Sequence, residues 1–178
     1  MEIKIVEYNP NWAKGFKEEK TNLIHILSSH AVAIEHIGST AIPNQRAKPV
    51  IDIFIGVSPF EDLSFYQHIF NTKEYHYTPT DMKGRYLFAK YTNEVWTHNL
   101  HILPYDDLFY LRNEFLLRDY LREHPKLVEE YGEVKERATM DNGSTMEAYT
   151  RAKTEFIQKV IDAARKEKGL PLQSVWET

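Results

Sequence analysis

Gly38-Ser39-Thr40, Lys48 and Asp52 fall within one short stretch of chain, and their types are those that hold a phosphate and a divalent cation. Gly38 lacks a Cβ, so the backbone there can approach an anion, and the amides and hydroxyls of Ser39 and Thr40 add donors. Lys48 supplies a cation, and Asp52 a carboxylate for a metal ion or a hydroxyl. A plainer reading stands beside this one. Ser and Thr commonly cap turns, and a strand carboxylate such as Asp52 is commonly held in an ion pair, here by Lys48 or an arginine.

His98-Asn99-Leu100-His101 offers two imidazoles three positions apart. In a strand those side chains face opposite sides, so one ion does not take both, and His101 lies on the side of Thr97 and Asn99. His101 is therefore the candidate, with Asp52, for catalysis and for a metal site, and a histidine satisfied inside the sheet is its alternative. Arg85, after Lys83-Gly84, either meets an anionic ligand or lies solvated at a strand edge. His36, just before Ile37-Gly38, either hydrogen-bonds into the site or orders the turn.

These side chains need elements to position them. Residues 3–8 have strand composition, and Asn9-Pro10 suits a helix N-cap and first helical position. Trp12, Phe16, Leu23, Ile24 and Leu27 recur at helical spacing to about Ser29. Residues 32–37 read as a second strand leading into Gly38. Residues 50–57 read as a third, aliphatic but for Asp52, as in the interior of a covered sheet. Alternation points Ile51, Ile53 and Ile55 one way and Asp52, with Val50 and Phe54, the other. After Ser58-Pro59, the apolar residues from Phe60 to Phe70 suit a covering helix, and residues 75–78 a short edge strand. Residues 85–91 and 95–103 pair as a hairpin through Thr92-Asn93-Glu94.

Beyond Pro104 the chain turns helix-forming. A first helix carries Leu108, Leu111, Phe115, Leu116 and Leu121. A second runs from Pro125 to near Thr139. Asp141-Asn142-Gly143 separates it from a third over residues 144–168, where Ser144 and Glu147 have capping-box spacing. The expected fold is α+β: one domain over residues 1–178, with a mixed sheet and phosphate-binding turn over about 1–105, helices over about 106–168 and a tail over 169–178.

A net charge of −4 and a pI near 6.1 give no electrostatic footprint for duplex nucleic acid. The absence of cysteine excludes disulfides and thiolate zinc sites and suits a reducing compartment. Met1-Glu2-Ile3-Lys4-Ile5-Val6-Glu7 alternates charge with aliphatic residues and has no signal-peptide core, and no run approaches the ~20 apolar residues of a membrane span. The expectation is a cytoplasmic protein that binds no membrane. No motif specifies an oligomeric state.

Glu35-His36-Ile37-Gly38-Ser39-Thr40-Ala41-Ile42-Pro43 with Lys48-Pro49-Val50-Ile51-Asp52-Ile53 resembles the GrpB family, also called UPF0157. The resemblance extends to Val6-Glu7-Tyr8-Asn9-Pro10-Asn11-Trp12, to His98-Asn99-Leu100-His101-Ile102, to the stretch from Phe115 to Pro125 and to that from Ala148 to Ile157. The GrpB family is similar to the nucleotidyltransferase superfamily, which implies a nucleotidyltransferase-like mixed β-sheet with flanking helices and a helical C-terminal half. Gly38-Ser39 and Asp52 match the superfamily's Gly-Ser and Asp-x-Asp signature, although Phe54 replaces the second acid. The resemblance implies a nucleotide or phosphorylated small molecule as ligand, and transfer of a nucleotidyl group to a small acceptor as the reaction. The family's domains also occur fused to dephospho-coenzyme A kinase, which implies a nucleotide or coenzyme A context. Phosphate would meet His36, Gly38, Ser39, Thr40, Lys48 and Arg85, with Arg118 and Lys153 reaching in from the late helices. Asp52 and His101 would hold one divalent ion, Mg²⁺, Mn²⁺ or Zn²⁺, or orient a hydroxyl. The alternatives are a non-catalytic nucleotide-binding accessory module and a metal-assisted phosphohydrolase.

Overall fold

Strands of β-branched and aromatic residues, and helices with one apolar row, settle into two units in a computed structural model that describes residues 3–70, 73–141 and 145–175. The sheet unit is Pro10–Ile37 with Val50–Tyr110; the helical unit is Met1–Asn9, Gly38–Pro49 and Leu111–Thr178. This grouping cuts across sequence order. The first nine residues and residues 38–49 join the helices rather than the sheet.

In the sheet unit, helix α1 (Asn11–Leu27) precedes β1 (Ala31–Ile37), β2 (Ile51–Val57), α2 (Leu63–Ile69), β3 (Tyr75–Thr78), β4 (Tyr86–Thr92) and β5 (Val95–Pro104). The strand order is β1-β2-β5-β4-β3. Only β2 and β5 run parallel, so the sheet is mixed, as expected, with β3 at its edge. The β4–β5 hairpin turns on Asn93 and Glu94, both at positive φ (50° and 66°), the two-residue geometry that matches the twist of paired strands.

One sheet face is closed by the two helices. Phe16 of α1 stacks on His36, and the α2 residue Tyr66 packs on Tyr86, while Phe70 just beyond α2 meets Phe88 and Tyr75. The fully buried Ile53, Leu100 and Ile102 share that face. The apolar row of α1 differs from expectation in two places: Ile24 is 51% exposed, whereas Glu19 is buried at 2%. On the opposite face, Phe109 and Tyr105 lie over Gly56, where a Cβ would come within 3.1 Å of both rings.

The helical unit holds α3 (Asn113–Glu123), α4 (Pro125–Asp141) and α5 (Met146–Glu167). Its core joins Leu121, Val128, Tyr131, Phe156 and Val160 to Ile42 from the segment before β2. The strand expected over residues 3–8 does not form. Val6 makes one antiparallel bridge to Ala47, and Ile3 is buried with Ala138 and Tyr149, so helices take up the apolar side of this segment. The first late helix is shorter than expected, because Phe109–Leu111 forms a separate 3₁₀ turn. Thr145 caps α5, accepting from the Ala148 amide at 3.2 Å. The expected cap Ser144, the Asn142-Gly143 break and the tail from residue 176 lie outside the described residues. Among the described residues no helix is long and apolar enough to cross a membrane.

Candidate functional site

Asp52, Phe54 and Gly56 alternate onto the sheet face turned away from α1 and α2, and the parallel register sets Asn99 beside Asp52 and His101 beside Phe54. Leu87 of β4 lies beside His101, and Arg85 follows two residues earlier on the same side. His101 Nε2 is 3.9 Å from Asp52 Oδ1, and Arg85 Nη1 is 3.3 Å from His101 Nδ1. A guanidinium has no acceptor, so Arg85 donates and Nδ1 accepts; in the neutral ring the hydrogen then sits on Nε2, which faces Asp52. The guanidinium also stands over the Phe54 ring at 5.2 Å, and Phe54 packs against the imidazole. Arg85 is only 7% exposed, so an anion reaching it would meet a partly desolvated cation, where a charge-assisted hydrogen bond is strong. Asn99, not singled out from the sequence, accepts from Trp96 Nε1 at 3.1 Å and completes a polar row with Asp52 and His101.

The metal expectation meets this arrangement poorly. His101 presents Nε2–H toward Asp52 rather than a lone pair, and no group of three or more His, Cys, Asp or Glu able to hold an ion occurs among the described residues. Among the described residues Asp52 and His101 are therefore a pair and not part of a larger ligand group. What they offer is an acceptor and a donor side by side.

Two histidines belong to the other face. His36 is 8% exposed and stacked on Phe16 beneath α1, on the sheet face opposite Asp52. His98 likewise faces the α1 side, as alternation requires, and its Nδ1 lies 2.8 Å from Thr97 Oγ1. Burial first, and then the Lys90 charge, hold its pKa below 6.5 against the opposing pull of Glu19, the Gly15 carbonyl and Asp52.

In the helical unit, Gly38 adopts φ 76° and ψ −175°, a conformation open essentially to glycine alone, and Ser39–Ala41 make a 3₁₀ turn. The Ala41 and Ile42 amides are spent inside that turn, on the carbonyls of Gly38 and Ser39 at 3.1 Å. Thr40 is 3% exposed, so its hydroxyl is a core group and not the open donor expected of a phosphate turn. Ser39 remains half-buried, and its Oγ accepts from Lys135. Arg122 closes a fork on the Ala41 carbonyl at 2.9 and 2.7 Å. Lys48 is half-buried one residue past Ala47, which exchanges two backbone bonds with Val6. Arg118 pairs with Asp119 at 2.8 Å over the Phe115 ring, and Lys153 lies over the Tyr149 ring at 4.3 Å.

Lys135 is the residue that sequence reasoning passed over. It falls in the buried row Val128, Tyr131, Lys135, Ala138 of α4 and is 2% exposed. A cation at a core position of an amphipathic helix was the available signal.

A mixed sheet bearing a carboxylate, an imidazole and a guanidinium on one face, in a chain that also forms a three-helix unit, defines an α+β protein with that polar cluster as its candidate centre. The chain belongs to the GrpB family: that family's model, described as GrpB protein, matches residues 2–163. The crystal structure of the conserved protein GrpB from Enterococcus faecalis is similar over 93% of this chain and 99% of that one, with 31% identity and a TM-score of 0.83. The UPF0157 protein YqkA of Bacillus subtilis is 35% identical over 92% of this chain, which spans about half (48%) of that protein's length. The glutamate-rich protein GrpB of Alkalihalophilus pseudofirmus is 30% identical over 90% of this chain and 95% of its own.

Proposed function

We propose that this chain binds a nucleotide or another phosphorylated small molecule. The observation that carries the reading is the Arg85–His101–Asp52 set: a guanidinium suited to phosphate oxygens beside an imidazole N–H and one carboxylate, on a half-buried sheet face. In the helical unit the Gly38-Ser39 turn is a separate candidate for phosphate, with the half-buried Ser39 hydroxyl as its donor. A divalent ion at Asp52 would take most of its ligands from the phosphates and water, the usual arrangement for Mg²⁺.

The spacing of Asp52 and His101 favours one reaction over simple binding. A ligand hydroxyl seated against both would accept from His101 Nε2–H and donate to Asp52 Oδ1, the arrangement a nucleophilic hydroxyl needs. In nucleotidyl transfer to a small acceptor, that hydroxyl oxygen bonds to the α-phosphorus, its proton passes to Asp52 and pyrophosphate leaves.

The test is a thermal-shift panel of nucleotides and phosphorylated metabolites, with and without Mg²⁺, Mn²⁺ or Zn²⁺, on wild type, Asp52→Asn and Ser39→Ala. A binder should raise the melting temperature of the wild type; Ser39→Ala should weaken affinity about tenfold, the cost of one charge-assisted contact, and Asp52→Asn should do so in the arms that contain the divalent ion, one of whose ligands it weakens. Silence across the panel, or variants that bind as the wild type does, sinks the reading. Pyrophosphate released only with an acceptor marks a transferase, phosphate released without one a hydrolase, and binding without turnover an accessory module.

A further inference from the structure

Lys135 sits where a buried cation is costly, and its surroundings show how it is kept. The ammonium donates to Ser39 Oγ and to the Arg46 carbonyl at 3.1 Å, and it faces the Tyr131 ring at 4.3 Å. An oxygen acceptor and the face of an aromatic ring both favour the charged form, so Lys135 is read as an ammonium. Its neighbours fix its place. Arg46 pairs with Glu136 at 2.8 Å and donates to the Glu129 carbonyl at 3.2 Å, packed so closely on α4 that a Cβ at Gly132 would meet Arg46 Nε at 2.5 Å. Gln45 Nε2 donates to the Val128 carbonyl at 3.1 Å. The segment that carries Ser39 is thus anchored to α4 immediately around Lys135.

We propose that Lys135 is a positioning residue for anion binding: by donating to Ser39 Oγ it turns the serine's own hydrogen away from the ammonium and makes that hydroxyl a committed donor to a phosphate oxygen. A free serine hydroxyl donates or accepts as its surroundings dictate, whereas an Oγ that already accepts from a cation is polarised toward donation. Lys135, at 2% exposure, acts from behind the serine and not by touching the ligand. The proposal rests on the phosphate-binding reading above and adds to it a lysine with a defined partner.

The experiment is a double-mutant cycle on the full chain. Affinities for inorganic phosphate, pyrophosphate and ATP are measured by calorimetry in chelator for wild type, Lys135→Met, Ser39→Ala and the double variant, with thermal melts alongside. Lys135→Met is expected to weaken binding about tenfold in the wild-type background and less than about twofold in the Ser39→Ala background, because the lysine acts through the hydroxyl. Lys135→Gln, which keeps an N–H for Ser39 without the charge, should fall between, and it carries the test if the methionine variant does not fold. A purely structural lysine would lower the melting temperature without this coupling. Losses that multiply in the double variant, or Lys135 variants that bind as the wild type does, overturn the proposal while leaving the phosphate reading intact. A wild type that binds none of the three probes in chelator overturns this proposal, and one that binds none with a divalent ion present either overturns both.

Discussion

With Arg85 Nη1 donating to His101 Nδ1, the imidazole meets Asp52 as a donor through Nε2. Arg85→Gln removes the group that forces this tautomer, so Nδ1 can carry the hydrogen and Nε2 can turn a lone pair toward the carboxylate. The expected outcome is a change in the ¹⁵N spectrum of His101 from one tautomer to a mixture, with Zn²⁺ affinity rising about tenfold as imidazole and carboxylate become co-ligands. A wild type already protonated on Nδ1, or one that binds Zn²⁺ as tightly as the variant, counts against the assignment. Asp52 and His101 were legible in the sequence because strand alternation has a period of two, so sidedness can be counted along residues 52 and 97–101. The same counting placed His98 on the other face, and it would have placed His36 there too had the β1–β2 register been visible. Lys135 and Glu19 were not legible, since helix periodicity shows that a charge lies on an apolar row but not which distant group satisfies it.

Helix α1 and strands β3, β4 and β5 meet at such a group. Glu19 Oε2 takes Lys90 Nζ at 2.5 Å, and its Oε1 takes the Tyr75 hydroxyl at 2.5 Å, while Asn22 adds a weaker bond at 3.3 Å. Burial, and then the Glu19 carboxylate accepting its hydrogen bond, push the Tyr75 phenol up from its ordinary value. His98 borders this network with its pKa lowered. For a histidine lowered in the folded state, the unfolded chain takes up the proton first. Stability is then unaffected above about pH 6.5 and declines as pH falls below it. His98→Asn should flatten that acid limb, read as the slope of unfolding free energy in urea between about pH 6.5 and 5. An unchanged slope would show that other groups set it. Most elements here were readable from periodicity and turn residues, the hairpin at Asn93-Glu94 among them. The exception, residues 3–8, has strand composition but finds one bridge partner at Ala47 and a helical surface for Ile3, and composition does not distinguish these environments.

The chain passes between its two units after Asn9, Ile37, Pro49 and Tyr110, so neither unit is one continuous segment. That nesting was the least legible property, because residues 38–49 hold little regular structure and so show no period to count. Yet they complete the helical core. Ile42, 1% exposed, packs with Leu121, Val128, Tyr131, Phe156 and Val160, and Gln45 and Arg46 bond to α4 backbone carbonyls. Deleting a buried isoleucine side chain costs roughly 2–5 kcal/mol, and a core of under about 70–80 residues seldom supplies more than 3–5 kcal/mol in total. A fragment of residues 111–178, which keeps all three late helices, should therefore lack a cooperative melt and lose the near-ultraviolet tyrosine signal of packed Tyr131. The same fragment joined through a flexible linker to residues 38–49 should regain both, since Ile42 and Arg46 return to their places on α3–α5. If the bare fragment melts cooperatively with native tyrosine dichroism, the helices are a self-sufficient bundle, and the segment bearing Ser39 is held by them without holding them in return.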